Sequence, residues 1–157
     1  MKIYVTNIVT SHNQAENSQT IKLYGRAENG DAETIEVFGF DDYFYAATEE
    51  LQEAQEALLE RDDVKSVEVD GYESLRGESV GKVTVSDYYQ KSEIAEILDE
   101  TYKSDVFVTN HLRVDVGLFT GVEAPDEQCH YTELEAVSAA TQPRILTFDI
   151  ETDDRGE

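Results

Sequence analysis

The chain has 157 residues, of which 35 are Asp or Glu and 12 are Lys or Arg, so its formal net charge is −23. This length accommodates one domain or two small ones with a buried core. With 39% apolar residues the chain is not compositionally disordered. It contains no run of about 18 apolar residues, which excludes a membrane-spanning helix. The first residues lack the apolar core of a signal peptide, and a single cysteine suits a reducing compartment, so we expect a cytoplasmic protein.

The acidic excess is spread over the whole chain rather than gathered in a tail. At 1 M salt the Debye length falls to about 3 Å, which screens most of the repulsion among such charges. The pattern therefore predicts adaptation to a cytoplasm with molar salt; an acidic protein that binds cations or mimics DNA is the alternative. Because counterion release weakens as salt rises, the acidity does not exclude DNA as a partner.

The first forty residues predict β-structure. Segments 21–24 and 34–38 alternate between polar and apolar residues, and they flank Asn29 and Gly30. Asn-Gly favours a hairpin turn because both residues tolerate positive φ. The polar stretch 11–18 is predicted to be a loop.

Residues 42–46 predict a third, aromatic-rich strand. Because side chains alternate along a strand, Phe44 is expected to face the core and Tyr43 and Tyr45 the other side. Stacking on nucleic-acid bases is one interpretation of these two tyrosines. Plain packing is the other.

From residue 48 the apolar period changes to that of a helix, which is predicted to run to about Arg61 with Thr48 as its N-cap. The next predicted elements are a strand at 64–69, a turn at Gly71, a strand at 82–85, a helix capped by Ser92 and an extended piece at 102–106. The order from residue 42 is β-α-β-β-α-β, the split arrangement of ferredoxin-like folds. The predicted fold class is therefore α+β, with a β-rich N-terminal lobe and a ferredoxin-like βαββαβ unit.

The last third of the chain is less regular. Residues 107–121 predict a short helix that ends at Gly117 or Gly121. Residues 123–142 are polar and acidic, which favours a linker or loop. The segment 144–152 then predicts a strongly apolar strand.

Asp149 and Glu151 lie two positions apart on this last predicted strand, so both carboxylates project from the same face. Two adjacent carboxylates repel, and a divalent cation is their natural counter-charge. Hard carboxylate oxygens suit Mg²⁺ or Mn²⁺, which in two-metal sites activate water for phosphodiester cleavage. The alternative is that the strand ends at Phe148 and the acids are solvated.

Three segments carry a resemblance to a known family. These are Asp42-Tyr43-Phe44-Tyr45-Ala46, the region 104–118, and Phe148-Asp149-Ile150-Glu151-Thr152. The last resembles the first 3′→5′ exonuclease motif of family B DNA polymerases, and the first two are similar to segments of that family's N-terminal domain. The order and spacing agree over essentially the whole chain, and the acidity points to a haloarchaeal or halovirus version.

The resemblance implies a division of the chain into domains. An N-terminal domain would span 1–122, with a β lobe at 1–41, the βαββαβ unit at 42–106 and a helical tail at 107–122. An acidic linker would follow at 123–143, and the start of a ribonuclease H-like exonuclease domain at 144–157. The family's other exonuclease acids and its polymerase residues lie further downstream, so we expect this chain alone to be inactive.

The resemblance also implies site residues. Asp149 and Glu151 would be catalytic ligands of Mg²⁺ or Mn²⁺ in an incomplete exonuclease site. Template DNA would be bound near four residues of the N-terminal domain: Tyr43, Tyr45, Val106 and His111. Archaeal members of the family also trap deaminated bases in a pocket. Here Asp42 stands where many of them have proline, and His111 falls near an expected arginine, which weighs against base trapping and leaves general template contact.

The sequence therefore leaves three interpretations open. The chain is the N-terminal portion of a polymerase that binds template DNA and braces the exonuclease domain. Alternatively, it is one half of a split polymerase whose other polypeptide completes the metal site. The third interpretation is a stand-alone halophilic module that binds single-stranded nucleic acid or a replication partner.

Overall fold

Ten strands, three α-helices and one 3-10 helix make up the computed structural model, which describes residues 1–141. In chain order they are β1 (Lys2–Asn13), β2 (Ser18–Arg26), β3 (Ala32–Phe38), β4 (Asp42–Ala47), α1 (Thr48–Leu59), β5 (Val64–Glu73), β6 (Ser79–Val85), α2 (Lys91–Ala95), β7 (Thr101–Tyr102), α3 (Val108–Val116), β8 (Gly121–Glu123), β9 (Gln128–His130), the 3-10 helix (Tyr131–Glu133) and β10 (Glu135–Val137). The predicted α+β class is confirmed. Among these residues no helix has the length and apolarity needed to cross a membrane.

The first sheet has six strands in the order β10-β8-β1-β2-β3-β9. Its centre is the meander β1–β2–β3, and the turn at Asn29-Gly30 joins β2 to β3 as predicted, with Gly30 at φ +90°. The predicted loop at 11–18 is shorter than expected, because β1 and β2 pair as far as Asn13 and Ser18. The residues at these strand ends are polar, so a hydrophobicity pattern does not detect them. Backbone pairing itself does not require apolar residues.

Short strands and a 3-10 helix occupy about half of the predicted acidic linker. β8 pairs with β1, β10 pairs with β8, and β9 runs parallel to β3. The linker prediction is therefore wrong for residues 123–137. Each of these strands is three residues long, which is too short to show a period. β8 and β9 are placed by pairing with residues more than 90 positions away, and β10 is placed by pairing with β8.

The second sheet has four strands in the order β5-β6-β4-β7, and all neighbouring strands are antiparallel. One face packs against the two helices, which bury Leu51 and Leu58 of α1 and Ile94 of α2 against Phe44 and Val83. This is the predicted ferredoxin-like arrangement. It leaves the other face of the sheet free of α1 and α2.

Several element boundaries differ from the sequence predictions. Thr48 is the first residue of α1 rather than its N-cap, and its Oγ1 lies 2.8 Å from Ser79 Oγ. The cap position of α2 is Gln90, not Ser92. Gly71 lies inside β5 at φ +106°, where the register with β6 shifts, and the chain turns later, around Gly77. At Thr48 a tertiary contact overrides the local preference, and at Gly71 a β-bulge does so.

Helix α3 ends at Gly117, one of the two predicted positions, with Gly117 at φ +73°. It packs against the core of the six-stranded sheet through Val108 and Leu112. Strand β4 contributes to both cores, since Phe44 faces the α1–α2 layer while Tyr43 packs with α3. The predicted alternation along β4 is therefore confirmed, and the strand connects the two halves of the structure.

Candidate nucleic-acid interface

The four predicted nucleic-acid contacts lie close together around β4 and α3, whereas Asp149 and Glu151 lie outside the described residues. Tyr43 and Tyr45 project from the face of β4 opposite the helices, and their rings meet edge to face at 5.7 Å. His111 reaches Tyr43 from α3, and the backbone of Val106 lies beside the same cluster. Within residues 1–141, no group of three His, Cys, Asp or Glu side chains is arranged to hold a metal ion.

A buried charge cluster lies beneath this surface. Asp42 is fully buried; its Oδ2 lies 2.6 Å from Lys91 Nζ, and its Oδ1 lies 2.6 Å from His111 Nδ1. The backbone N–H of Tyr43 donates to the same Oδ1 at 2.9 Å. Lys91 also donates to the carbonyl oxygen of Val106. One carboxylate therefore joins β4, α2, α3 and the segment that precedes α3.

The proton on His111 follows from this geometry. An ionised carboxylate only accepts hydrogen bonds, so Nδ1 of His111 carries the proton. Nε2 is buried and has no hydrogen-bond partner among the described residues. With a neutral imidazole, the charges of Asp42 and Lys91 cancel inside the cluster, which lowers the cost of burying them.

Tyr43 is enclosed rather than available to a ligand. Its ring is 5% exposed and stacks on the imidazole of His111, with centroids 4.2 Å apart and planes 8° from parallel. Its hydroxyl donates to Asp115 Oδ1 at 2.9 Å, and Lys82 Nζ lies 4.2 Å from the ring centroid. A base can reach Tyr43 only if α3 moves away. Nucleic-acid contact by Tyr43 and His111 therefore stays a prediction.

Burial, together with the hydrogen bond to Asp115, raises the pKa of Tyr43 far above its usual range. The neutral phenol therefore contributes stability that is fully present below the unfolded-state pKa of about 10 and is lost as the pH rises above it. We expect the free energy of unfolding of the wild type to fall above pH 10 more steeply than that of Tyr43→Phe. Urea titrations between pH 8 and pH 11 measure this difference.

Tyr24→Phe, on an exposed tyrosine of β2, is the matched control. The advantage of the wild type over Tyr43→Phe should shrink by up to about 1.4 kcal/mol per pH unit above pH 10. An unchanged difference between these two proteins across the whole pH range contradicts the prediction.

An open row of tyrosines extends from Tyr43 across the sheet. Tyr45 of β4 contacts Tyr72 of β5 edge to face at 5.2 Å and pairs with Tyr102 of β7 across the strands. Lys103 Nζ lies 5.7 Å from the Tyr45 ring centroid. We call Tyr45, Tyr72, Tyr102, Lys82 and Lys103 the tyrosine face. α3 covers one end of this side of the sheet, and the tyrosine face occupies the other.

Hydrogen bonds hold the outer tyrosines at their hydroxyl ends. Tyr72 donates to Glu68 at 3.1 Å and Tyr102 donates to Glu78 at 2.8 Å. Burial, followed by the hydrogen bond to Glu68, raises the pKa of Tyr72. The hydrogen bond to Glu78 is the first cause of the raised pKa of Tyr102. The hydroxyl groups of Tyr72 and Tyr102 are thus held by carboxylates of β5 and of the segment before β6.

Sequence reasoning found only Tyr45 of this face. Tyr72 was missed because a turn was predicted at Gly71, whereas β5 continues to Glu73 through an irregularity that leaves Glu68 and Tyr72 on the same face. Lys82 and Lys103 carry no local pattern. Tyr102 was predicted to lie on an extended segment. Pairing that segment with β4 would have placed Tyr102 beside Tyr45.

No protein-family model matches the sequence, and the search of curated proteins gave no match. The fold is similar to that of the family B DNA polymerase from the hyperthermophilic archaeon Pyrobaculum calidifontis, with a TM-score of 0.73 and 16% sequence identity. The alignment covers 92% of this chain and 21% of that polymerase chain. The protein therefore has a fold found in a family B DNA polymerase, and it spans about a fifth of that polymerase's length.

Proposed function

We propose that this chain is the N-terminal portion of a family B DNA-directed DNA polymerase, in which it contacts template DNA and braces the proofreading exonuclease domain. The observation that carries the proposal is the fold similarity over 92% of the chain. A separate support is the exonuclease-like motif at 148–152, which lies beyond residues 1–141 that the structure describes.

The proposed metal ligands are Asp149 and Glu151. Two carboxylates fit Mg²⁺ or Mn²⁺ in their donor chemistry but are too few to complete a two-metal site. Within residues 1–141 no group of three His, Cys, Asp or Glu side chains is arranged to hold a metal ion, and we propose that the remaining ligands come from other residues of the polymerase. The polypeptide that carries them is accordingly a proposed partner, together with the template. The chain by itself is expected to cleave no DNA.

Fluorescence anisotropy in about 2–3 M KCl tests template contact, since salt at this level screens the acidic surface. The labelled ligands are a primer–template and a single strand, each with and without Mg²⁺. We expect saturable binding to both, unchanged by Mg²⁺ and by Asp149→Ala combined with Glu151→Ala. A sample whose circular dichroism shows a folded protein, and which binds neither ligand, overturns the proposal of template contact.

A further inference from the structure

We propose that the tyrosine face binds a nucleic-acid single strand by stacking unpaired bases on Tyr45, Tyr72 and Tyr102. This inference rests on the proposed function and specifies it, because it names the surface and the chemistry of template contact. The proposed ligand is a strand with unpaired bases. In a duplex each base stacks on its neighbours, so its faces are not available to the tyrosine rings.

The architecture of the sheet supports a stacking site. Four-stranded antiparallel sheets with two helices on one side can present aromatic rings on the other side, where single-stranded bases stack on them. Here the helix side is filled by Phe44 and Val83, and the opposite side carries a row of rings on β5, β4 and β7. Tyr72 is 38% exposed. The row crosses the strands, so one extended chain of nucleotides can follow it.

The charges at this face support an anionic ligand. Lys22, Lys65, Lys91 and Arg61 each form an ion pair with a carboxylate. Lys82 and Lys103 form none among the described residues and instead lie near the rings of Tyr43 and Tyr45. In a chain of net charge −23, Lys103 over the half-buried ring of Tyr45 and Lys82 over the enclosed ring of Tyr43 place two ammonium groups at this face. Lys103 is exposed, so its ammonium can turn toward a phosphate while a base takes its place on Tyr45.

The same charges limit the electrostatic part of the binding. Glu68 and Glu78 lie at the rim, so the face neutralises at most about two phosphates, through Lys82 and Lys103. Two neutralised phosphates correspond to a slope of about −1.4 for log K against log salt on a single strand. Binding that depends mainly on stacking keeps most of its strength in molar salt, whereas binding through many phosphates does not.

The test is anisotropy with labelled oligo-dT, oligo-U and a duplex of equal length at about 2 M KCl, a salt level chosen to screen the acidic surface. We expect both single strands to bind and the duplex to bind at least tenfold more weakly. Tyr72→Leu and Tyr45→Leu should each weaken single-strand binding about 5- to 150-fold, the effect of losing one stacked base. Tyr72→Phe should retain binding, because it keeps the ring.

Tyr24→Leu is the matched control, since Tyr24 is 39% exposed on the other sheet and should leave binding unchanged. Circular dichroism of every variant checks the fold. The oligo-dT and oligo-U arms distinguish DNA from RNA, and a tighter oligo-dT complex supports a template role.

Each contrary result has a defined meaning. If the wild type, Tyr72→Leu and Tyr45→Leu all bind equally well, the tyrosine face is not the binding surface. The proposed template contact would then lie on another surface. If Tyr72→Phe loses as much as Tyr72→Leu, the hydroxyl rather than the ring carries the contact and stacking is overturned. A salt slope steeper than about −3 indicates four or more phosphate contacts and also overturns it. If the folded wild type binds no oligonucleotide, both the inference and the proposed template contact fail.

Discussion

Replacing Asp42 by Ala is expected to lower the free energy of unfolding by about 3–5 kcal/mol, the usual cost of leaving a buried charge without its partner. The substitution removes the carboxylate that lies 2.6 Å from both Lys91 Nζ and His111 Nδ1. Lys91, whose side chain is only 5% exposed, is then left without the carboxylate beside it. Urea unfolding at a fixed KCl concentration measures the change.

Asp41→Ala provides a control one position away in the sequence. Asp41 pairs with Lys65 at 2.7 Å, but both side chains are partly exposed, at 22% and 36%. Exposed pairs of this kind contribute about 0–1 kcal/mol. Similar losses from Asp41→Ala and Asp42→Ala would contradict the argument that burial makes the Asp42 cluster important.

The cluster also has a consequence for the interface. Because Asp42 joins β4 to α3, its loss is expected to release α3 from Tyr43 as well as to destabilise the fold. In Asp42→Asn, which keeps the size of the side chain, Tyr43 should become more accessible. Perturbation of the tyrosine absorbance by a cosolvent such as glycerol reports that accessibility. The ionisation of the phenol does not separate the two effects, because the charge of Asp42 is itself one cause of the raised pKa of Tyr43. An unchanged perturbation spectrum would mean that α3 is held by its apolar contacts alone.

Removing salt is the second change with a large expected effect. The Debye length grows from about 3 Å at 1 M to about 10 Å at 0.1 M, so repulsion among the acidic residues reaches across the surface at low salt. With a net charge of −23 on 157 residues, we expect dialysis from 2 M into 0.1 M KCl to unfold a large fraction of the protein. Circular dichroism along a KCl series measures this transition, and a constant signal down to 0.1 M contradicts it.

Helix α1 offers a variant that separates screening from other salt effects. It carries exposed acids with no basic residue in its last turn, and Glu53 lies four residues from Glu49 and three from Glu56. Like charges at these spacings destabilise a helix by about 0.2–0.5 kcal/mol per pair. Glu53→Gln with Glu56→Gln should therefore stabilise the protein by about 1 kcal/mol at 0.1 M KCl. The gain should disappear at 2 M if screening is the cause, and a gain independent of salt argues against it.

Local patterns predicted much of the fold because their causes are local. Gly30 makes the β2–β3 turn at φ +90°, which glycine tolerates, and Gly117 ends α3 in the same way. The helical period after residue 48 placed α1 to within two residues. By contrast, Thr48 and Ser92 were wrongly predicted as N-caps, because a strand leads directly into α1 and a series of turns leads into α2.

The sequence by itself determined the strand and helix order between residues 42 and 117, the α+β class and the acidic composition, since each depends on composition or on residues a few positions apart. The exonuclease-like pair Asp149 and Glu151 stays a prediction of the same kind. Only the tertiary structure decided which side chains are buried together and which stay open. Asp42, Lys91 and His111 form one cluster, although up to 69 positions separate them. A bulge in β5 brings Tyr72 beside Tyr45. Both depend on long-range pairing, and no local pattern encodes it.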